Sequence, residues 1–207
     1  FTGSTEVGIR INEICASRLA SVSLEMGGKN AVLVLDDADV DTAVDAVVSG
    51  AFSLAGQRCS STSRVIVQDS VYTEFMDKLT SKTKSLKVGP AEGEGVDVIP
   101  VINEQQYKDI SGAIESAKTA GIECVVGGEA LSGGAYDEGY YISPTIFVDV
   151  PQSSALWRKE IFGPVLAVAR CSSFEQGIDM VNDSDFGLIS SVFTSDVTKA
   201  QKAMDMV

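Results

Sequence analysis

Cys59 stands in Gly56-Gln57-Arg58-Cys59-Ser60-Ser61-Thr62-Ser63-Arg64, a small, polar, glycine-led stretch that is a poor place to bury a structural thiol. A free thiol has a pKa of about 8.5, and a neighbouring guanidinium with exposed backbone N–H groups favours the thiolate, the nucleophilic form. Cys15, Cys124 and Cys171 fall on apolar faces or in strands and suit buried filler. For Cys59 itself, filler and nucleophile are both open at this point. Glu25 is the odd residue of Val22-Ser23-Leu24-Glu25-Met26. A carboxylate partly desolvated there has a raised pKa, as a general base requires, while a strand-end glutamate facing water is the plainer alternative. Glu160, in Lys159-Glu160-Ile161-Phe162-Gly163-Pro164, reads equally as a surface charge before a strand. Gly3-Ser4-Thr5-Glu6-Val7-Gly8 places a glycine turn at a helix N-terminus, where free N–H groups favour a phosphate. An ordinary turn fits as well. It is not a Walker loop, because Ile9-Arg10 stands where Lys-Ser/Thr should follow.

The rest of the composition removes several chemistries. The chain has no histidine, so no Ser/His or Cys/His pair exists within it, and any nucleophile must be activated another way. Four scattered cysteines without a CxxC pair argue against zinc and against a disulfide framework, and predict free thiols in a reducing, cytoplasmic setting. Sixteen basic against 29 acidic residues, a net charge of −13, disfavour nucleic acid and anionic membrane surfaces as partners. No apolar run approaches the roughly 20 residues that cross a bilayer. The chain opens on Phe1 and reads as an excised segment.

The elements that must position these residues alternate. A strand end at Phe1–Thr5 leads to a helix reaching about Arg18, then strands over Val22–Met26 and Ala31–Leu35. A helix with Val40, Ala43, Val44, Val47, Ala51 and Leu54 on one face ends near Ala55-Gly56, where glycine stops it. A strand over Arg64–Gln68, a helix over Ser70–Lys87 and an acidic, glycine-rich loop over Gly89–Asp97 follow. Asn103 with Gln106 resembles a capping box for a helix to Ala120. Strands are expected at Cys124–Val126, Tyr141–Val150, Pro164–Cys171 and Leu188–Thr194, with helices over Ser173–Asn182 and from Asp196. This order predicts an α/β fold, a largely parallel open sheet with helices on both faces.

Taken together, Phe1-Thr2-Gly3-Ser4-Thr5, Leu24-Glu25-Met26-Gly27-Gly28-Lys29-Asn30, Gly56-Gln57-Arg58-Cys59 and Glu160-Ile161-Phe162-Gly163-Pro164 are far more specific than any one alone. In order and spacing the chain resembles the catalytic part of NAD(P)-dependent aldehyde dehydrogenases, including the 34-residue step from Glu25 to Cys59. Tyr141–Thr145 and Phe186-Gly187-Leu188 extend the resemblance over the whole chain. It implies residues 1–24 as the end of a dinucleotide-binding domain and residues 25–207 as a thiol-bearing catalytic domain. It implies oxidation of an aldehyde to an acid through a thiohemiacetal and a thioester on Cys59, with Glu25 activating the water that releases the acid. The cofactor, NAD or NADP, would meet Gly3, Ser4, Thr5 and Gly8 at its pyrophosphate, the Met26 backbone at its carboxamide, Glu160 at its ribose and Phe162 at its ring.

Arg58 resembles the position of members that oxidise carboxylate-bearing semialdehydes, such as α-ketoglutaric semialdehyde, and would steer such a substrate. A homo-oligomer is implied for the full-length protein. The family's second oxyanion donor, an asparagine, and most of the dinucleotide-binding domain lie upstream of Phe1, so this chain alone is expected to be inactive. Ile99-Pro100 departs from the usual Gly-Pro, and Met26 from the commoner Leu. A coenzyme A-acylating enzyme and a non-catalytic fragment that only associates are the alternatives.

Overall fold

The computed structural model describes residues Phe1–Val207. In chain order the elements are α1 (Thr5–Ala16), β1 (Asn30–Val34), α2 (Val40–Phe52), β2 (Thr62–Gln68), α3 (Asp69–Lys84), α4 (Glu104–Thr119), β3 (Glu123–Val126), β4 (Ala130–Leu131), β5 (Tyr141–Ile142), β6 (Thr145–Val148), α5 (Ala155–Arg158), β7 (Val165–Cys171), α6 (Phe174–Asn182), β8 (Ser190–Phe193) and α7 (Val197–Met206). Six strands form the main sheet in the order β3-β6-β7-β2-β1-β8, and β4 pairs with β5 apart from it. Within the main sheet only β3 runs antiparallel to its neighbour. The remaining pairs are parallel, as the alternation of strands and helices predicts.

Parallel strands need crossover helices, and these cover both faces of the sheet. Every residue of β1 and β6 is accordingly buried. Alternate residues of a strand point to opposite faces, and Leu33 meets Gly177 of α6, where a Cβ would come within 2.5 Å of its side chain. Phe52, Phe75, Leu79, Phe147 and Trp157 are fully buried and complete the packing. No helix is long and apolar enough to cross a membrane. Side-chain caps start the helices: Asp39 accepts from Thr42 N at 2.8 Å, Ser173 from Gln176 N at 3.2 Å and Asp196 from Thr198 N at 2.7 Å. Each such cap contributes about 1 kcal/mol.

Three expected strands change. Val22–Met26 makes only an isolated bridge, Thr2 opposite Glu25, with Gly3 N donating to Glu25 O and Glu25 N to Phe1 O. The segment finds no longer neighbour to ladder with. Tyr141–Val150 splits into β5 and β6, because Pro144 has no N–H to continue a ladder. Leu188–Thr194 shortens to β8, an edge strand whose residues are half-buried or exposed. The first helix stops at Ala16, short of Arg18, and α5 is one turn that no periodic pattern announces. The helix expected to run on to Ala55 ends at Phe52 and gives way to a tight turn over Ser53–Gly56.

Strand order fixes where the chemistry gathers. β7, β2 and β1 are adjacent and parallel, so the segments entering them meet along one edge. These segments carry Glu160, Cys59 and Glu25. Ligands on open α/β sheets more often bind at the carboxyl ends of strands; here the three chemistry-bearing loops lie at the amino ends.

Candidate active site

A cleft of about 440 Å³ is lined by Thr2, Gly3, Ser4, Glu25, Met26, Gly27, Cys59, Gln106, Asp109, Glu160, Ile161 and Phe162. Seven residues singled out from the sequence thus share one cavity. Cys59 is exposed, whereas Cys171 is buried and Cys15 and Cys124 are half-buried; all four are free thiols. Burial pushes the Cys171 thiol up to about 11, and it raises the Cys124 thiol as well, while Lys118 opposes that shift. Neither is a ready nucleophile.

The loop that presents Cys59 is strained. Leu54 and Ala55 both sit at φ 54°, followed by Gly56 at φ 68°. A left-handed non-glycine residue costs about 1–2 kcal/mol, so two in succession persist only under external restraint. Gln57 supplies part of it: its Nε2 donates to Leu54 O at 3.0 Å, and its Oε1 accepts from Ile102 N at 2.9 Å. Gly56 is required twice, by its φ and because a Cβ there would lie 2.2 Å from Gly163 O. The thiol loop therefore rests against the backbone of the Glu160 loop. Past the strained turn, Ser61 N donates to Arg58 O at 3.0 Å and Arg58 N to Ser61 Oγ at 3.3 Å. The Cys59 N–H donates to no protein acceptor, which leaves it available for a developing oxyanion.

Glu160 is fixed from the Glu25 segment. Its Oε1 accepts from Gly28 N at 3.0 Å, and a Cβ on Gly27 would lie 2.0 Å from its Oε2. Gly27 lets a carboxylate lie directly on backbone, which a side chain there would prevent. Phe162, at φ 55°, is held by α4, where Gln106 Nε2 donates to Ile161 O at 2.9 Å and Phe162 O at 3.2 Å. Gln106 was read from sequence as half of a capping box. Asn103 does cap α4, accepting from Gln106 N at 2.9 Å, but the glutamine side chain turns to the Phe162 loop instead. Its helical position and polar type alone did not distinguish the two uses.

Other expected residues stand differently. Glu25 is exposed rather than enclosed by Leu24 and Met26, since only the bridge to Thr2 covers it. Ser4 caps α1, accepting from Val7 N at 3.4 Å, and with Gly3 and Thr5 marks the helix N-terminus. Gly8 lies one turn further on and is buried under Met26, whose sulfur would be 2.4 Å from a Cβ there. It serves packing. Arg58 does not line the cleft; its guanidinium approaches Ser49 O and Gly50 O at the end of α2, each at 3.5 Å.

Residues 1–207 match the aldehyde dehydrogenase family. The chain belongs to that family. It is 41% identical over 207 residues to an α-ketoglutaric semialdehyde dehydrogenase of Bacillus subtilis, covering 100% of this chain and 42% of that protein. It is 37% identical over 207 residues to a chloroplastic betaine aldehyde dehydrogenase of Beta vulgaris, covering 41% of that protein. Among solved structures, betaine aldehyde dehydrogenase of Staphylococcus aureus in complex with NAD+ superposes with a TM-score of 0.96 at 33% identity, covering 100% of this chain and 41% of that one. The chain thus spans about two-fifths of the length of these aldehyde dehydrogenases.

Proposed function

We propose that this chain is the thiol-bearing part of an enzyme that oxidises an aldehyde to a carboxylic acid, with Cys59 as nucleophile and Glu25 as base. The observation that carries the reading is one cleft holding an exposed thiol, an exposed carboxylate and a second carboxylate fixed on backbone. The Cys59 sulfur adds to the aldehyde carbon, and the oxygen, now an alkoxide, takes a hydrogen bond from the free Cys59 N–H. NAD(P)+, when bound, would supply the hydride acceptor needed for this adduct to become a thioester. Glu25 then removes a proton from water, the water oxygen bonds to the acyl carbon, and the C–S bond breaks to release the acid and the thiolate.

The residues present fit such a cofactor. The N-terminus of α1, capped by Ser4, offers N–H groups to phosphate, with Gly3 lining the same cleft but its own N–H committed to Glu25 O; Oε2 of Glu160 is left to accept from ribose hydroxyls, and the ring of Phe162 borders the same space. The NAD+ complex of the S. aureus relative supports this assignment. A point mutant of that relative was crystallised with a cysteine modified by β-mercaptoethanol, which accords with a reactive thiol in this family. For the substrate we favour a carboxylate-bearing semialdehyde, supported by the B. subtilis relative. Arg58, placed outside the cleft, is not assigned to its recognition.

The test is kinetic. In the full-length protein, Cys59→Ser should abolish NADH production, and Glu25→Gln should leave a rapid burst of NADH followed by a slowed steady rate. An unchanged steady rate in Glu25→Gln would remove Glu25 from the mechanism.

A further inference from the structure

We propose that Asn30 is a positioning residue that fixes the Cys59 backbone so that the Cys59 N–H meets the oxyanion; this rests on the reading of Cys59 as nucleophile. Asn30 opens β1 and is 6% exposed. Its Nδ2 donates to Cys59 O at 2.7 Å and to Ser61 O at 2.8 Å. Both N–H groups of one amide are thus committed to two carbonyls of one turn.

The arrangement leaves Asn30 Oδ1 buried with no partner. Buried acceptors are rarely left so, because the lost hydration is not recovered. Rotating the amide would be worse, since its oxygen would then face two carbonyl oxygens. The orphaned oxygen is the mark of an amide whose orientation the thiol loop dictates.

Two further features exist to make this reach possible. The β1–β2 ladder slips at this point: Asn30 lies opposite Thr62 and Ala31 opposite Arg64, which leaves Ser63 as an extra residue. Its hydroxyl donates to Asn30 O at 3.3 Å. A bulge in a parallel pair is rare, and bulges beside active sites re-aim a side chain. Gly28 provides the space, for a Cβ there would lie 2.6 Å from Asn30 Oδ1 and 2.8 Å from Cys59 O. Cys59 is therefore gripped at its own carbonyl by Asn30, and at the preceding peptide by the Arg58–Ser61 turn.

Two reactions of the same thiol separate positioning from mere support. With p-nitrophenyl acetate, the sulfur bonds to the acetyl carbon through an oxyanion, the ester C–O bond breaks, and p-nitrophenolate leaves. With iodoacetamide the sulfur displaces iodide, and no oxyanion forms. Both rates are measured in the full-length protein by mass spectrometry of the Cys59 peptide, for wild type, Asn30→Leu and the smaller Asn30→Ala. We expect acetylation to fall by about tenfold or more in both variants, with alkylation within about threefold of wild type. Acetylation that stays at the wild-type rate, or a parallel fall in both reactions, would overturn the positioning role. A wild-type protein whose Cys59 reacts with neither reagent would instead remove the nucleophile, and this role with it; one that alkylates but does not acetylate would leave the nucleophile and overturn the oxyanion role.

Discussion

Cys59 is the one exposed thiol of four, and it lies in a loop whose N–H groups are not all used internally. Substoichiometric iodoacetamide on the folded chain should therefore modify Cys59 before Cys15, Cys124 or Cys171, with peptide mapping as the check. Preferential labelling of any other cysteine would contradict the assignment. Lys29 gives a second prediction at this scale. It is 2% exposed, and burial, reinforced by the Arg64 charge and opposed by Glu160, pushes its ammonium down to about 7. In the unfolded chain the same amine stays protonated up to about pH 10.4. Between these values the unfolded state binds more protons, so stability rises with pH. The urea midpoint should be higher at pH 9 than at pH 7, and Lys29→Met should raise the pH 7 value and flatten the difference. Above about pH 9 the trend weakens, because the buried Cys171 thiol, pushed up to about 11, favours the folded state only while it is protonated. A midpoint that falls between pH 7 and 9 in wild type would rule out the buried ammonium as the cause.

At the scale of elements, the strained turn over Leu54–Gly56 makes opposite predictions for neighbouring positions. Leu54 is left-handed and 51% exposed, so Leu54→Gly relieves strain with little lost packing and should stabilise by about 1 kcal/mol in urea titrations. Gly56→Ala forces a Cβ onto Gly163 O and should destabilise by about 3 kcal/mol or more, because backbone rather than a flexible side chain must move. Equal effects of the two substitutions would show that the turn is not under strain. Much of this layer was legible in the sequence. The 3.6-residue periodicity located α2, and the cap at Asn103 located the start of α4, since both are local signals. Pro144 also held the information that divides β5 from β6, and the apolar run around it concealed the break.

What was not legible is tertiary. Nothing near Asn30 or Gln106 in the chain reveals that their amides grip loops 29 and 55 residues away. The family resemblance brought Glu25, Cys59 and Glu160 together before the fold did, but it did not reveal that Arg58 turns towards α2 or that Gly8 packs beneath Met26. On the whole molecule, apolar side chains stand in water along α1 and beside β8: Val7, Ile9, Ile14, Leu188 and Ile189 are all more than two-fifths exposed. Such surface favours association. Sedimentation of the 207-residue chain should show concentration-dependent self-association, and a monomer across the micromolar range would count against it. The same chain should bind NAD+ weakly or not at all in calorimetry, since the cleft holds residues for only part of such a cofactor.

The tie between Gly28 and Glu160 spans 132 residues, and Gly56 rests on Gly163 across a comparable stretch. During synthesis Cys59 emerges well before the Glu160 loop that will flank it. Contacts this remote in sequence form late, after β7 has joined the sheet. For that interval the thiol sits on an unfinished scaffold, accessible to any oxidant or electrophile and without the geometry that gives it a purpose. A reducing environment would therefore matter to this thiol before the fold that positions it is complete.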